Sequence, residues 1–280
     1  MEQLPPMRDP WLIAAFEGPS DAGAAGSDLV EHLAEAWHAE PVHVLDADRY
    51  LDYRESPPRL IGDDDGGATL HWPRLQVRWA RPPGSERDVL LLSGPEPGLQ
   101  WRRLCAEVLD LAVRAGATTL LAVAGTHDEV PHTHPVAITG WSPSPTLRRR
   151  IGRRIEAPLD GLATVLVHQA AERGLAAATV SAAVPAYVGH PPQPKAVLAL
   201  MNTVEDLLLD VSLPAGDWEE QAQAWQVGAD QFVEEDPDLV EYVEELEQIQ
   251  SAEDLHEASG DAIAREFERF MRRREGDGDR

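Results

Sequence analysis

The sequence predicts an α/β protein in which a mainly parallel β-sheet is sandwiched by helices, with an inserted β-hairpin and a C-terminal helical lid. The sheet is predicted by two helical segments that each end at a glycine and lead at once into an apolar strand. Unbroken apolar strands between helices are typical of a parallel sheet buried on both faces. The lid is predicted by an acidic C-terminal block with apolar residues at helical spacing.

The first elements follow this plan. Residues 11–16, WLIAAF, form an apolar run that ends before a Gly-Pro pair, which is typical of a buried strand. Ser27 is expected to cap a helix that runs to about Trp37, and residues 42–45, VHVL, follow as the next strand. The chain therefore opens with a strand, a helix and a second strand.

Residues 57–79 have a different pattern and predict an inserted β-hairpin. Strand-like residues flank an Asp-Gly turn at 63–67, a strong short-range signal for two antiparallel strands. Trp72 and Trp79 are bulky apolar residues of this insertion, and a monomer would leave its strand edge open. We expect the hairpin to make oligomer contacts through these two tryptophans.

The middle of the chain contains the two repeats of helix, glycine and strand. A strand at 88–92 precedes a helix that ends at Gly116, and the strand 118–123 follows. The second helix also ends at a glycine and leads into the strand 178–182. Residues 8–213 are therefore expected to form the α/β core domain.

Residues 214–275 are predicted to be an acidic helical lid. Long acidic blocks are either disordered tails or solvated helix faces, and the spacing of apolar residues decides between them. Trp218, Trp225 and Phe232 recur along one helical face, and disordered tails lack such anchors. The lid is expected to land on the cleft at the strand ends, and residues 276–280 are expected to be a flexible tail.

Composition limits the classes of function. The net charge of −25 repels nucleic acid and anionic lipid, so we expect neither nucleic acid nor membrane as a partner. No segment approaches the ~20 apolar residues of a membrane span, and the N-terminal residues lack the pattern of a signal peptide. The single cysteine, Cys105, makes no internal disulfide, which fits a reducing compartment. A cytoplasmic location is expected.

Four loops follow predicted strands, where ligands of open α/β sheets bind. The Gly-rich loop 18–26 offers backbone N–H groups to an anion, but it lacks the ending of a P-loop and is otherwise a plain turn. The loop 93–98 is a rigid turn or the start of a helix, and Tyr187 in the last loop either stacks on a ligand or fills a turn. The candidate ligand-cleft residues are Gly18, Asp21, Gly94, Glu96, Thr126, His127, Asp128, Glu129, His132 and Tyr187.

The third loop, residues 125–135, combines three histidines with two carboxylates. Imidazole and carboxylate groups suit zinc, iron or acid–base chemistry, but their spacing matches no zinc motif. No Gly-x-Ser-x-Gly elbow is present, and Cys105 lies on the apolar side of a helix, where a small core residue is expected. We therefore predict no metal and no cofactor, and we assign no catalytic residue.

Longer stretches of the chain carry a family resemblance. They are LLSGPEP at 91–97, DEVPHTHPV at 128–136, AVPAYV at 183–188 and EEDPDLVEYV at 234–243. Through them the chain resembles the proteasome assembly chaperone 2 family, in its long actinobacterial branch.

The resemblance implies a core related to the purine nucleoside phosphorylase-like fold, a hairpin used in oligomer contacts and C-terminal helices over the strand-end cleft. It also implies a homo-oligomer, with a homotrimer favoured, and proteasome subunits as partners. Members that dock on the proteasome end in a hydrophobic residue, a tyrosine and one more residue, whereas this sequence ends in GDGDR.

The leading hypothesis is a non-enzymatic oligomeric binding protein that assists the assembly of a protein complex. The alternative is a small-molecule-binding protein, or an enzyme of the hydrolase or phosphorylase kind, that uses the cleft at the carboxyl ends of the strands.

Overall fold

The computed structural model describes residues 4–62, 67–151, 161–208 and 213–257. The predicted tail at 276–280, the end of the predicted lid and most of the predicted Asp-Gly turn lie outside the described residues. Within the described ranges, no helix combines the length and the apolarity that crossing a membrane requires.

A seven-stranded sheet forms the centre of the molecule, and two further strands form a separate pair. The strands are β1 (Trp11–Ala14), β2 (Glu40–Val44), β3 (Arg59–Gly62), β4 (Ala68–His71), β5 (Gln76–Ala80), β6 (Val89–Ser93), β7 (Thr119–Asp128), β8 (Ile138–Trp141) and β9 (Ala176–Pro185). The central order is β2-β5-β6-β1-β7-β9-β8. Strands β6, β1, β7 and β9 run parallel, whereas β5 and β8 pair antiparallel with their neighbours.

Helices cover both faces of this sheet. They are α1 (Ala25–Ala36), α2 (Ala47–Tyr50), α3 (Trp101–Arg114), α4 (Pro145–Ile151), α5 (Leu162–Glu172), α6 (Pro194–Leu208), α7 (Trp218–Glu234) and α8 (Pro237–Glu257). Ile13 of β1 lies in the core formed with α1 and α6, whereas its neighbour Leu12 lies in the core formed with α3 and α5. Alternation along a strand buried on both faces produces this division, and the predicted sandwiched sheet is confirmed.

Helix α1 begins two residues before the expected cap. Its N-cap position is Ala24, and Ser27 lies inside the first turn. The carboxylate of Asp21 accepts the backbone N–H of Ser27 at 2.8 Å, so an aspartate outside the helix does the capping that the sequence assigned to the serine. A capping side chain is only required to reach the free N–H groups, and the tight turn before α1 brings Asp21 to them.

The predicted hairpin range covers two different structures. β3 and β4 pair antiparallel, with Arg59 opposite His71, and every residue of both strands is exposed. Trp79 instead lies in β5, opposite Leu90 of the central sheet, and packs partly against the core. The chain returns to the main sheet after Trp72, so Trp79 is not a hairpin residue.

Helices α7 and α8 pack as a pair against the rest of the chain, with α7 lying along α6. Trp218 packs against the core, and Ala229 and Val233 are buried. Phe232, expected as a buried anchor, is 50% exposed, so that expectation is wrong. Val233, the next residue of α7, is buried instead.

Candidate functional site

The carboxyl ends of the parallel strands meet at one edge of the sheet. β7 and β9 are ten residues long and stay paired to their ends, where His127 lies opposite Val184 and Asp128 opposite Pro185. The loops after these strands, together with those after β1 and β6, therefore form one rim. Most of the predicted ligand-cleft residues lie along this rim.

The loops after β1 and β6 are tied to each other. The backbone N–H of Glu96 donates to the carbonyl of Glu17 at 2.8 Å, and Gly18 and Gly94 both have a φ of 138°. A Cβ on Gly94 would lie 2.2 Å from the carbonyl oxygen of Arg74, so only glycine fits there. These glycines position the rim and leave Glu96 beside Gly18.

Asp21 is a buried structural carboxylate. Its Oδ1 accepts the backbone N–H groups of Gly26 at 2.8 Å and Gly125 at 2.7 Å. Its Oδ2 accepts the N–H and the hydroxyl of Ser27 at 2.8 and 2.7 Å. Four hydrogen bonds occupy the acceptor sites of a carboxylate, so Asp21 holds the loop before α1 against β7 instead of facing a ligand.

Two further carboxylates near Asp21 carry raised pKa values. Burial, with the charges of Asp21 and Glu17 nearby, raises the pKa of Asp28 to about 6. Burial and the charge of Glu31 raise the pKa of Glu17, which Arg59 of the hairpin partly offsets. This part of the rim is thus acidic, and ionising the carboxyl groups of Asp28 and Glu17 costs more free energy there than in water.

The groups at the end of β7 are partly bonded to the protein itself. Thr126 and the buried Ser181 of β9 share a short hydrogen bond between their hydroxyls. His127, Asp128 and Glu129 are exposed. Among the described residues, no three His, Cys, Asp or Glu side chains are grouped so that they could hold a metal ion.

His132 is the centre of a polar network that reaches the C-terminal helices. Only 3% of the residue is exposed. Its Nδ1 lies 2.6 Å from the hydroxyl oxygen of Tyr187, which also accepts the His132 backbone N–H at 2.7 Å. Its Nε2 lies 3.0 Å from Oδ1 of Asp230 on α7. Neutral His132 satisfies both contacts if Tyr187 donates to Nδ1 and Nε2–H donates to Asp230.

Lys195, the chain's only lysine, extends this network from the first turn of α6. Its ammonium donates to the carbonyl of His132, to the carbonyl of His134 at 3.3 Å and to Oε1 of Gln226 at 2.7 Å. Gln226 in turn donates to Asp230 at 2.8 Å. Burial lowers the pKa of Lys195, against a smaller opposite effect of the Asp230 charge. One cation thus joins the loop 129–137 after β7, α6 and α7.

Aromatic contacts add to this polar network, and together they form the junction between the core and helices α7 and α8. The ring of Trp225 lies 6.4 Å from that of His132 and 5.9 Å from the Lys195 ammonium. Tyr242 of α8 stands edge-on to Tyr187, with ring centroids 5.8 Å apart. At the other end of α7, Trp218 stands edge-on to His32 of α1 at 6.0 Å. The two tryptophans therefore hold the first half of α7 against the core.

A second candidate surface lies between the rim and the hairpin. Glu17, Gly18 and Pro95 line one side of an open groove of about 830 Å³, and the hairpin lines the other. Leu60 is 69% exposed, Leu70 is 49% exposed and Trp72 is 53% exposed. A cluster of large apolar side chains that is exposed to water is typical of an interaction surface.

The structure therefore sorts the predicted cleft residues into three groups. Asp21 is a buried anchor, His132 and Tyr187 belong to the junction with the helices, and the other seven lie along the rim. Sequence reasoning missed Ser181, Lys195, Gln226 and Asp230. The signal for Lys195 was its uniqueness in an arginine-rich chain, whereas nothing local distinguished Asp230 from the surrounding acidic residues.

Comparison with known proteins gives the relationships of the chain. Residues 15–233 match the family described as PAC2 family. A proteasome-assembly chaperone homologue of Mycobacterium tuberculosis is 39% identical, with 83% of this chain and 99% of that chain covered and a TM-score of 0.76. A PAC2 family protein of Streptomyces avermitilis is 37% identical, with 84% and 100% covered and the same TM-score.

More distant structures share the fold. PbaB of Pyrococcus furiosus, an archaeal proteasome activator, is 15% identical over 82% of this chain and 96% of its own, with a TM-score of 0.65. A search of curated proteins finds no match. The family match spans most of the sequence, and two actinobacterial structures exceed one third identity. This chain belongs to the PAC2 family.

Proposed function

We propose that this protein is a non-enzymatic, self-associating binding protein that assists the assembly of a protein complex in the cytoplasm. Its core domain spans residues 8–213, and its lid begins at residue 214. The observation that carries this proposal is the hairpin β3–β4, which exposes a cluster of large apolar side chains beside a wide groove.

The hairpin favours self-association because a two-stranded sheet is marginally stable in water on its own. All eight residues of β3 and β4 are exposed, so the pair buries no face in one copy of the chain. Seating Leu60, Leu70 and Trp72 on a second copy would remove this apolar surface from water. A closed ring of three copies is the assembly we favour.

The strand-end rim supports a binding role more than a catalytic one. Asp21 has its acceptor sites filled, Thr126 is bonded to Ser181, and His132 is held between Tyr187 and Asp230. A general base must be within reach of a substrate proton, and these groups are engaged with the protein itself. The exposed His127, Asp128 and Glu129 remain as the groups that an enzymatic alternative would use.

Proteasome subunits are the first partners to test. The M. tuberculosis relative is described as a proteasome-assembly chaperone homologue, and it is 39% identical to this chain. Native mass spectrometry of the protein recovered from its own cells tests the partner: a co-purifying proteasome subunit supports the proposal. A retained small molecule with no partner chain would favour the alternative.

Light scattering tests the self-association. We expect a mass near three times that of the monomer, and Leu70→Asp should lower it towards the monomer. Val113→Asp is the matched control, because Val113 is 50% exposed on α3, away from the hairpin. A wild-type protein that is monomeric at micromolar concentration, or a control that dissociates equally, would contradict the role of the hairpin.

A further inference from the structure

The contact between the α7–α8 pair and the core is rich in polar groups. Asp230 bonds to His132, Gln226 bonds to Lys195, and Glu247 of α8 accepts from Thr133. Among the side chains that the structure describes in the two helices, four apolar ones are buried, and they are small to medium in size: Ala229, Val233, Val243 and Leu246. Polar interfaces of this kind between parts of one chain are typical of parts that move relative to each other.

Closing the helices onto the core also has an electrostatic cost at Lys195. The ammonium reaches three acceptors, yet burial still lowers its pKa, so water solvates the charge better than the closed junction does. An open state returns this charge to water. The junction therefore holds α7 in place without making the closed state strongly favoured.

Like charge opposes closure as well. No Lys or Arg occurs between residues 196 and 264, and the protein as a whole carries a net charge of −25. Thr133, which contacts α8, lies four residues after the exposed Glu129, which follows the exposed Asp128 at the end of β7. The two helices carry many exposed carboxylates that have no basic partner among the described residues. They are Glu219, Glu220, Glu234, Glu235, Asp238, Glu241, Glu244 and Glu245.

We propose that the α7–α8 pair is a poised lid whose closure onto the loop 129–137 after β7 is opposed by like charge, so that ionic strength sets the fraction of open molecules. Salt screens the exposed carboxylates strongly, because they interact through water, whereas it screens the half-buried contacts of Lys195 much less. Added salt should therefore close the lid. Opening uncovers apolar surface beneath Trp225, including Pro131, Val136 and Ala183, which is the kind of surface a partner protein covers.

The single lysine makes opening measurable without a partner. Acetylation of Lys195 by an N-hydroxysuccinimide ester, quantified by peptide mass spectrometry, reports how often its amine reaches solvent. The same protein in urea supplies the rate for a fully exposed Lys195. We expect labelling of the native protein to rise about fivefold or more as NaCl is lowered from about 300 to about 10 mM, where the Debye length grows to about 30 Å.

A pair of variants tests whether the carboxylates of α8 cause the salt dependence of lid opening. Glu241, Glu244 and Glu245, all replaced by Gln, should slow labelling at low salt and flatten the salt response. The control replaces Glu35, Glu40 and Glu86, three exposed glutamates of the core, and should keep the wild-type response. Both variants change the net charge equally, so a difference between them reports position.

Hydrogen exchange separates lid opening from global unfolding. Amides of α7 should exchange faster at low salt while those of β7 stay protected. Labelling that is independent of salt or rises with added salt would overturn the proposal, and so would a control variant that flattens the response equally. Simultaneous loss of protection in α7 and β7 would overturn it too, because the core would then be opening with the helices.

Discussion

Replacing Asp21 with Asn should destabilise the fold strongly, although the two side chains have nearly the same shape. The carboxylate accepts three backbone N–H groups and one hydroxyl, and the residue is 4% exposed. An asparagine presents one oxygen and one NH₂ group, and the NH₂ group faces N–H donors that it cannot satisfy. Whichever way the amide is turned, the substitution leaves a buried N–H of the loop before α1, that of Gly26 or that of Ser27, without an acceptor.

The magnitude follows from those lost bonds. Hydrogen bonds to charged groups contribute about 1.5–3 kcal/mol each, and an unsatisfied buried donor costs about 1–3 kcal/mol. With one buried N–H left without an acceptor and the charge removed from the remaining bonds, the free energy of unfolding should fall by about 4 kcal/mol. At an m-value of about 3 kcal/mol/M, the urea midpoint falls by about 1.3 M.

Urea unfolding followed by tryptophan fluorescence measures this change. Asp128→Asn is the matched control, because Asp128 is exposed and, within the described ranges, accepts only the N–H of its neighbour Glu129, at 2.8 Å. The control should stay within about 0.5 kcal/mol of wild type. If Asp21→Asn loses less than about 1 kcal/mol, the carboxylate is not a structural anchor, and a ligand role for it would regain support.

Four further predictions concern single sites. Gly125→Ala should cost about 3 kcal/mol in urea unfolding, because its Cβ would lie 2.0 Å from the carbonyl oxygen of Ala22; a cost below about 1 kcal/mol would contradict the close packing. Cys105, whose thiol pKa is raised by burial to about 11, should resist thiol reagents at pH 8 until urea unfolds the chain. Asp28→Asn should stabilise the protein by about 1 kcal/mol above pH 6, because the folded pKa of about 6 exceeds the unfolded value of 3.8 and ionised Asp28 therefore destabilises the fold there. The gain should fade as the pH drops to 4, where Asp28 is protonated in the folded state. A gain that persists at about pH 4 would contradict this explanation. Trp225→Ala should cost about 2 kcal/mol, visible as faster hydrogen exchange in α7 than in β7.

The sequence predicted the layered core well because local pattern and burial agree there. The strand run at 11–16 contains β1, the predicted strand at 118–123 begins one residue before β7, and the one at 178–182 lies inside β9. None of these runs contains a charged residue, which is typical of strands buried on both faces of a parallel sheet. The ends of β7 and β9 were missed, because Thr126, His127 and Asp128 have loop-like composition and are strand residues only through pairing with β9.

The candidate site was predictable in place but not in role. Strand-end loops of any α/β sheet meet at one rim, so sequence order alone brought Asp21, His132 and Tyr187 towards a common region. Their roles depend on atoms far away in the chain. Asp21 bonds to Gly125, which is 104 residues later, and His132 to Asp230, which is 98 residues later.

By itself the sequence determined the α/β class, the acidic helical C-terminus and the family resemblance, because periodicity, charge and motif are properties of neighbouring residues. Only the tertiary structure decided that Trp79 belongs to the central sheet, that Val233 is buried in place of Phe232, and that Lys195 joins the core to α7. The physical reason is that burial and hydrogen bonding at these positions are set by which elements become neighbours. Which elements become neighbours depends on the whole fold, because the packing of each element depends on the positions of the others.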